Sequence, residues 1–169
     1  MKKILIALVV ALTLAIAAPV VAKEKMASLG LAFDMPYTIS PGSGRGPVGM
    51  DLLGEYYINQ NFALHLMFQF QFEGAKAMFI NPGMKYYFWT EKTWTPYAQV
   101  EVLLGIKNAS GTSNMNYGFR FGPGINFDLS EVTGLEGLNT FFDVDFNGLF
   151  KTTRVWSIDV FRLGFAYAF

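Results

Sequence analysis

The stretch Phe161 to Phe169, FRLGFAYAF, constrains the fold more than any other part of the chain. Phe161, Leu163, Phe165, Tyr167 and Phe169 share one face, while Arg162, Gly164, Ala166 and Ala168 share the other. That alternation has period two and belongs to a β-strand. One face is large and aromatic; the other is small and carries one charge. A strand laid on a soluble core rarely stops on its apolar face.

The opening of the chain gives a setting for such strands. Lys2 and Lys3 form a basic start, Ile4 to Ala18 an apolar run, Pro19 a break, and Val20 to Ala22 a site for cleavage. This pattern is that of a secretory signal peptide, since the apolar run is too short to span a membrane. Residues 1–22 are therefore expected to be removed, leaving residues 23–169 as one domain that begins at Lys23. The chain has no cysteine, which excludes disulfides and a lipid-modified cysteine anchor. Once Lys2 and Lys3 are gone, eleven basic residues face thirteen acidic ones, which gives no hint of a nucleic-acid partner.

No later window holds eighteen apolar residues free of charge, so helices that span a membrane are excluded. Yet the chain carries 17 Phe and 8 Tyr, and that surface must be placed somewhere. A closed β-barrel in lipid accepts it on the outside and leaves no unpaired strand edge. The expected fold is all-β: an eight-stranded, antiparallel, up-and-down transmembrane barrel with a polar lumen.

Eight alternating segments support that count. The first, Met26 to Met35, turns Leu29, Leu31 and Phe33 outward and Ser28, Gly30 and Asp34 inward, and a loop is expected from Pro36 to Pro47. The second turns Met50, Leu52, Tyr56 and Ile58 outward against Asp51, Glu55 and Tyr57. The third alternates Phe62, Leu64, Leu66, Phe68, Phe70 and Phe72 with inward His65, Gln69, Gln71 and Glu73. The fourth runs to Trp89 with Met84 and Tyr86 outward and Lys85 inward. The fifth turns Gln99, Glu101 and Lys107 inward, and Asn108 to Asn114 is expected as a polar loop. The sixth turns Asn116, Arg120, Asn126 and Asp128 inward; the seventh does so with Asp143, Asp145 and Asn147. The eighth strand is the terminal aromatic one, whose alternation slips near Val160 and Phe161 and predicts a bulge. Pro82, Pro96 and Pro123 predict bulges or local widening, because proline lacks a ladder donor. Ser130, Val132 and Leu135 allow one helical turn between Leu129 and Gly137.

Tyr56, Phe62, Tyr86, Trp89, Trp94, Phe127 and Phe169 all fall at strand ends on one side of this topology. Amphipathic rings collect at membrane interfaces, so they are expected to form a periplasmic girdle.

PGMKYYFW at Pro82–Trp89, PYAQVEVLLGI at Pro96–Ile106, YGFRFGPGINFDL at Tyr117–Leu129 and the terminal FRLGFAYAF resemble the OmpA/OmpX-like family of small outer-membrane β-barrels. The resemblance covers essentially the whole chain after the signal. It implies residence in the bacterial outer membrane, with membrane lipid and lipopolysaccharide as partners and with insertion by the barrel-assembly machinery. It also implies that Phe161, Leu163, Phe165, Tyr167 and Phe169 act as the assembly signal. The expected surface loops are short, whereas adhesins of this kind carry longer extensions.

Candidate chemistry is sparse. His65 is the single histidine, and an inward, hydrogen-bonded role suits it better than catalysis. Outer-membrane lipid A deacylases resemble this architecture but place His and Ser two apart near the chain end, and no such pair occurs here. DVDFNG at Asp143–Gly148 opens like a calcium loop, but its twelfth position is Arg154 rather than a bidentate Glu. An acidic stripe on a lumen face is the plainer account. No catalytic residue, metal site or cofactor is expected. The informative set is Asp51, Glu55, Lys85, Glu101, Arg120, Asp143, Asp145 and Arg162, all facing a lumen just wide enough for side chains to fill. Charges confined there must pair, because an unpaired buried ion costs several kcal/mol. Inward Tyr57, Met67, Tyr87, Leu103 and Phe141 take up further volume. A polar plug in a barrel with a structural or envelope-maintenance role is the leading expectation. The alternatives are a narrow or gated pore for small solutes and, last, a soluble periplasmic barrel that binds an apolar ligand.

Overall fold

The computed structural model describes residues 26–40, 44–72, 77–89, 93–109, 112–150 and 154–169. The expected signal peptide, residues 1–22, lies outside the described residues, as does Glu73.

Nine strands form one antiparallel sheet: β1 (Ala27–Ser40), β2 (Gly44–Arg45), β3 (Gly49–Tyr57), β4 (Phe62–Gln71), β5 (Ala77–Tyr87), β6 (Trp94–Ala109), β7 (Thr112–Asp128), β8 (Leu138–Phe150) and β9 (Val155–Ala168). Every strand from β3 onward pairs with its successor, and β9 pairs back onto β1, from Ser28↔Ala168 upward. Eight strands thus close a barrel, with β2 added at the upper end of β1. The seam is fastened beyond the ladder. The Met26 and Ala27 amides donate to the Phe169 carbonyl at 3.1 and 3.2 Å, and the Phe169 amide donates to Ala27 at 2.9 Å.

The usual arrangement of a soluble protein is inverted. Leu31, Phe33, Leu52, Val100, Leu104, Phe121 and Phe165 stand exposed on the outside, whereas Asp34, Asp51, Asp143, Asp145, Asp159 and Arg162 are almost wholly buried inside. Period-two alternation carries both sets on the same strands.

The short turns sit at the end that holds Met26 and Phe169. Asn59 closes one of them, its side-chain oxygen accepting from the amides of Asn61 at 2.9 Å and Phe62 at 2.8 Å. The expected helical turn is present as α1, Ser130–Thr133. Asp128 accepts from the Ser130 amide at 2.8 Å at its start, and Gly134 ends it at φ 72°, a left-handed conformation that favours glycine.

At the opposite end two expected loops are replaced by strand. β1 continues to Ser40 rather than ending at Met35, because Pro36 falls at a register shift where its missing donor is tolerated. Beyond it, Tyr37 and Thr38 pair with Arg45 and Gly44. The expected loop Asn108–Asn114 is mostly ladder as well, with Asn108↔Ser113 and Ala109↔Thr112 paired. The fourth expected segment ends at Tyr87 rather than Trp89.

Prolines and bulges separate in an unexpected way. Pairing lapses at Asn81–Pro82 between β5 and β6 and at Gly122–Pro123 between β7 and β8, with register unchanged on either side. Proline here interrupts the ladder without adding a residue. Pro96 stays in register opposite Ile125. The expected slip in β9 is a bulge at Val160: Met35 pairs with Phe161, but Pro36 pairs with Asp159. Val160 and Phe161 therefore both face outward, and Asp159 turns inward.

Candidate functional site

Interior residues lie flat across the lumen because many of their ladder partners have no side chain. Tyr97 pairs with Gly124, where a Cβ would come within 2.3 Å of the ring. Phe141 pairs with Gly164, where a Cβ would come within 2.2 Å. His65 pairs with Gly83, whose Cβ would fall 2.6 Å from the imidazole Nε2. Large groups can then lean sideways and fill a barrel of small diameter.

All eight residues of the expected charged set are buried inside the barrel. They fall into two groups. Near the end that carries the short turns, Lys85 Nζ stands 2.5 Å from Glu55 Oε1. The Tyr57 and Tyr87 hydroxyls donate to the other Glu55 oxygen at 3.1 and 3.0 Å, and Ser28 adds a longer contact at 3.4 Å. Lys85 also lies over the ring of Tyr97, 4.7 Å from its centroid.

The second group surrounds Arg162 and Arg120. Arg162 Nε is 3.1 Å from Asp51, and its Nη1 is 3.1 Å from Asp145, 3.5 Å from Asp143 and 3.7 Å from Glu101. Gln99 donates to both Asp145 oxygens, at 2.8 and 2.9 Å, and the Tyr97 hydroxyl donates to Asp143 at 2.7 Å. Arg120 Nη2 is 3.0 Å from Asp159, its Nη1 is 3.6 Å from Glu101, and its Nε donates to Asn147 at 2.7 Å. Glu101 thus touches both guanidiniums, and it also lies 3.3 Å from His65 Nε2. Met67 projects between the two arginines, its sulfur 3.1 Å from Arg162 and 3.9 Å from Arg120. Tyr87 and Phe141 are buried in the same core as Met67, and Tyr57 packs against it; Leu103 is buried in a second cluster with Ala77 and Phe79.

Two carboxylates belong to the lumen without having stood out in the charged set. Asp159 reaches it through the bulge at Val160; strict alternation from Phe161 would have put it on the outside. An acid on a lipid-facing wall is costly, and that cost was the available signal. Asp34 is fully buried and accepts from the Gln69 amide at 2.6 Å, but among the described residues no basic group lies within ion-pair distance of it. Arg162 is its ladder partner, yet the guanidinium turns to Asp51 and Asp145 instead. Among the described residues the lumen then holds seven buried carboxylates against Lys85, Arg120 and Arg162, with His65 beside them.

Small recesses flank the arginine group. One, lined by Tyr57, Lys85, Asn126 and Asn139, has about 10 Å³ of free volume, near the minimum for one water molecule. The other, lined by Asp34, Gln71, Arg120, Ser157 and Asp159, has about 30 Å³.

The expected girdle residues fall at the end that carries the short turns. Phe62 pairs with Tyr86 and Trp94 with Phe127; the Phe62–Tyr86 and Trp89–Trp94 rings are 5.1 and 5.5 Å apart. Tyr56 and Phe169 are exposed at the same end. Asp128, expected inward, is exposed beside α1 instead. The side chain of Lys107 lies outside what is described. Asp143 and Asp145 face Arg162, and Asn147 is bonded to Arg120, so the calcium-like stretch forms part of the arginine group.

No protein-family model and no curated protein matches the sequence. Solved structures do. The N-terminal β-barrel domain of OprF from Pseudomonas aeruginosa is similar with a TM-score of 0.65 at 13% identity, over 86% of this chain and 98% of that one. Neisserial surface protein A gives 0.63 at 16%, over 85% and 97%. The attachment invasion locus protein Ail of Yersinia pestis gives 0.56 at 15%, over 87% and 100%. With its eight closed strands and apolar outer wall, the chain has the fold of the small outer-membrane β-barrels.

Proposed function

We propose that the protein is a non-enzymatic barrel of the bacterial outer membrane, exported by its signal peptide, with a structural or envelope-maintenance role and a lumen closed by side chains. The observation that carries this reading is the arginine group. Arg162 and Arg120 draw carboxylates from β3, β6, β8 and β9 into one cluster at the middle of the lumen. A solute would have to displace buried ion pairs, and removing one partner from such a pair costs about 3–5 kcal/mol. His65 is held against Glu101 within this cluster, which supports a structural role for it. A soluble barrel with an apolar ligand fits poorly, since the inward face is charged and the outward face is apolar.

A narrow, gated pore is the second reading, and the recesses on either side of the cluster favour it. Planar-bilayer recording separates the two. On the plug reading the wild-type protein is silent and Arg120→Ala conducts; steady wild-type conductance with cation preference supports the pore.

A further inference from the structure

The acidic excess of the lumen is not spread evenly. Among the described residues, seven buried carboxylates are set against Lys85, Arg120 and Arg162. Lys85 takes Glu55, and the two arginines take Asp51, Glu101, Asp143, Asp145 and Asp159. Asp34 is left over. It is wholly buried; Gln69 holds its Oδ2 at 2.6 Å, and its Oδ1 accepts no hydrogen bond. A buried carboxylate oxygen without a partner is costly, so it calls for one from outside the chain.

Asp34 borders the recess of about 30 Å³ described above, and Asp159 borders the same recess from β9. That volume is room for an ion and a water. The register sets the two acids close: Pro36 pairs with Asp159, and Asp34 lies two residues down β1 on the same inward face. Such diagonal neighbours have β-carbons roughly 7 Å apart, a span that two carboxylates can bridge through an ion held roughly 2.3–2.6 Å from each. Asp159 has an oxygen to spare as well, since Arg120 Nη2 lies 3.0 Å from its Oδ2 while its Oδ1 accepts no hydrogen bond. Gln71 and Ser157 border the recess and bring neutral oxygens. The two half-buried residues of its lining, Gln71 and Leu149, lie at the end away from the short turns and give an ion a way in. No spacing in the sequence marks the pair, because Asp159 turns inward only through the bulge at Val160.

The donors are all oxygens, two of them charged and the rest neutral. Zinc favours nitrogen and sulfur. Magnesium demands near-ideal octahedral geometry and gives up its water reluctantly, whereas calcium accepts a larger, flexible shell of carboxylate, amide and water oxygens. Two added positive charges still leave the described lumen acidic.

We propose that this recess binds one calcium ion between Asp34 and Asp159, its shell completed by Gln71, Ser157 and water. Arg120 stands at the edge and repels the ion, so the affinity falls with the weaker extracellular sites, at about 0.1–1 mM.

The test uses the mature protein in phosphatidylcholine nanodiscs, stripped with a chelator and compared with empty discs. Calorimetric titration should find one calcium site per chain, and saturating calcium should raise the denaturant midpoint. Magnesium, and sodium at matched ionic strength, should bind at least tenfold more weakly. Asp34→Asn should remain folded in chelator and lose at least tenfold in calcium affinity, since ligand charge tunes such sites. Gln71→Leu leaves every buried charge in place and should bind severalfold more weakly; it locates the ion even if Asp34→Asn does not fold. Absence of a calorimetric site, or an equal response to sodium, would overturn the proposal. Wild-type affinity in either variant would put the ion elsewhere and overturn it too. None of these outcomes bears on conductance, which tests the plug.

Discussion

Arg120 of β7 and Asp159 of β9 lie 3.0 Å apart although β8 separates their strands. The contact spans an arc of the lumen, so it ties strands that share no ladder. Arg120→Ala removes the partner of Asp159 and one of the two cations at Glu101. A loss of about 3–5 kcal/mol is expected, as for other buried pairs that lose one member. Denaturant titration in lipid vesicles, followed by tryptophan emission, would measure it. A midpoint equal to that of wild type would refute the pairing.

Asp34→Asn should act in the opposite direction. The amide keeps an oxygen for Gln69 and takes one negative charge from a lumen in which, among the described residues, carboxylates outnumber cations. The same titration should show unchanged or higher stability, by up to about 1–2 kcal/mol, since an unpaired buried charge is unfavourable. A loss larger than that from Arg120→Ala would mean that Asp34 holds an essential counter-charge.

Gly124→Ala should be costly because its new Cβ would meet the Tyr97 ring. Overpacking of this kind costs about 1–3 kcal/mol. Tyr97→Ala is costly for a different reason, the loss of ring packing and of the hydroxyl bond to Asp143. Combined, the two should fall short of additivity by about 1 kcal/mol or more, as contacting sites do. Additive losses would separate the ring from the glycine.

The main features of the fold could be read from alternation alone, because the wall between lipid and lumen is one strand thick. Every residue of a strand then faces one medium or the other, and Phe68 against Gln69 needs no tertiary knowledge to place. Alternation fails where the backbone gains a residue. The bulge at Val160 inverted the facing of Asp159, and the shift at Pro36 let β1 run on through a stretch rich in turn-forming residues. Asp34 was placed inward correctly, but which carboxylate Arg162 would choose depends on lengths and angles across the lumen, not on strand position. The aromatic set around Gly148 was hidden for another reason: Phe119, Phe146 and Trp156 come from three neighbouring strands, and the register of β7 with β8 and of β8 with β9 decides that they meet.

Single-tryptophan variants bear on the aromatic girdle. With Trp94 alone retained, lipids brominated near the headgroup should quench emission more strongly than lipids brominated at mid-chain, because interfacial belts hold tryptophan at the headgroup level. Stronger quenching from mid-chain would place Trp94 within the apolar band instead.

Phe169 offers a way to separate assembly from stability. Its ring is 60% exposed, while its backbone makes the hydrogen bonds that fasten β9 to β1. Phe169→Ala keeps those bonds, so the folded barrel should lose less than about 1 kcal/mol. Insertion in cells should nonetheless slow if the ring is part of an assembly signal. Pulse-chase membrane fractionation would show it, and wild-type insertion rates would remove the ring from that role.

The uneven strand lengths have a consequence above the membrane. β6 and β7 have 16 and 17 residues, and their tips, Asn108–Ala109 and Thr112–Ser113, rise past the last rungs with β5 and β8, at Ala77↔Lys107 and Tyr117↔Phe150. Closure removes free edges from the staves of the barrel, but this pair rises above them as a two-stranded ribbon that, among the described residues, pairs with no third strand on either flank. Its sequence there, Asn-Ala and Thr-Ser-Asn, is polar and poor in the apolar residues that make open flanks adhesive. Peptide inserted between Ala109 and Thr112 would therefore be carried on a stalk clear of the bilayer, where the barrel below has no stake in its conformation.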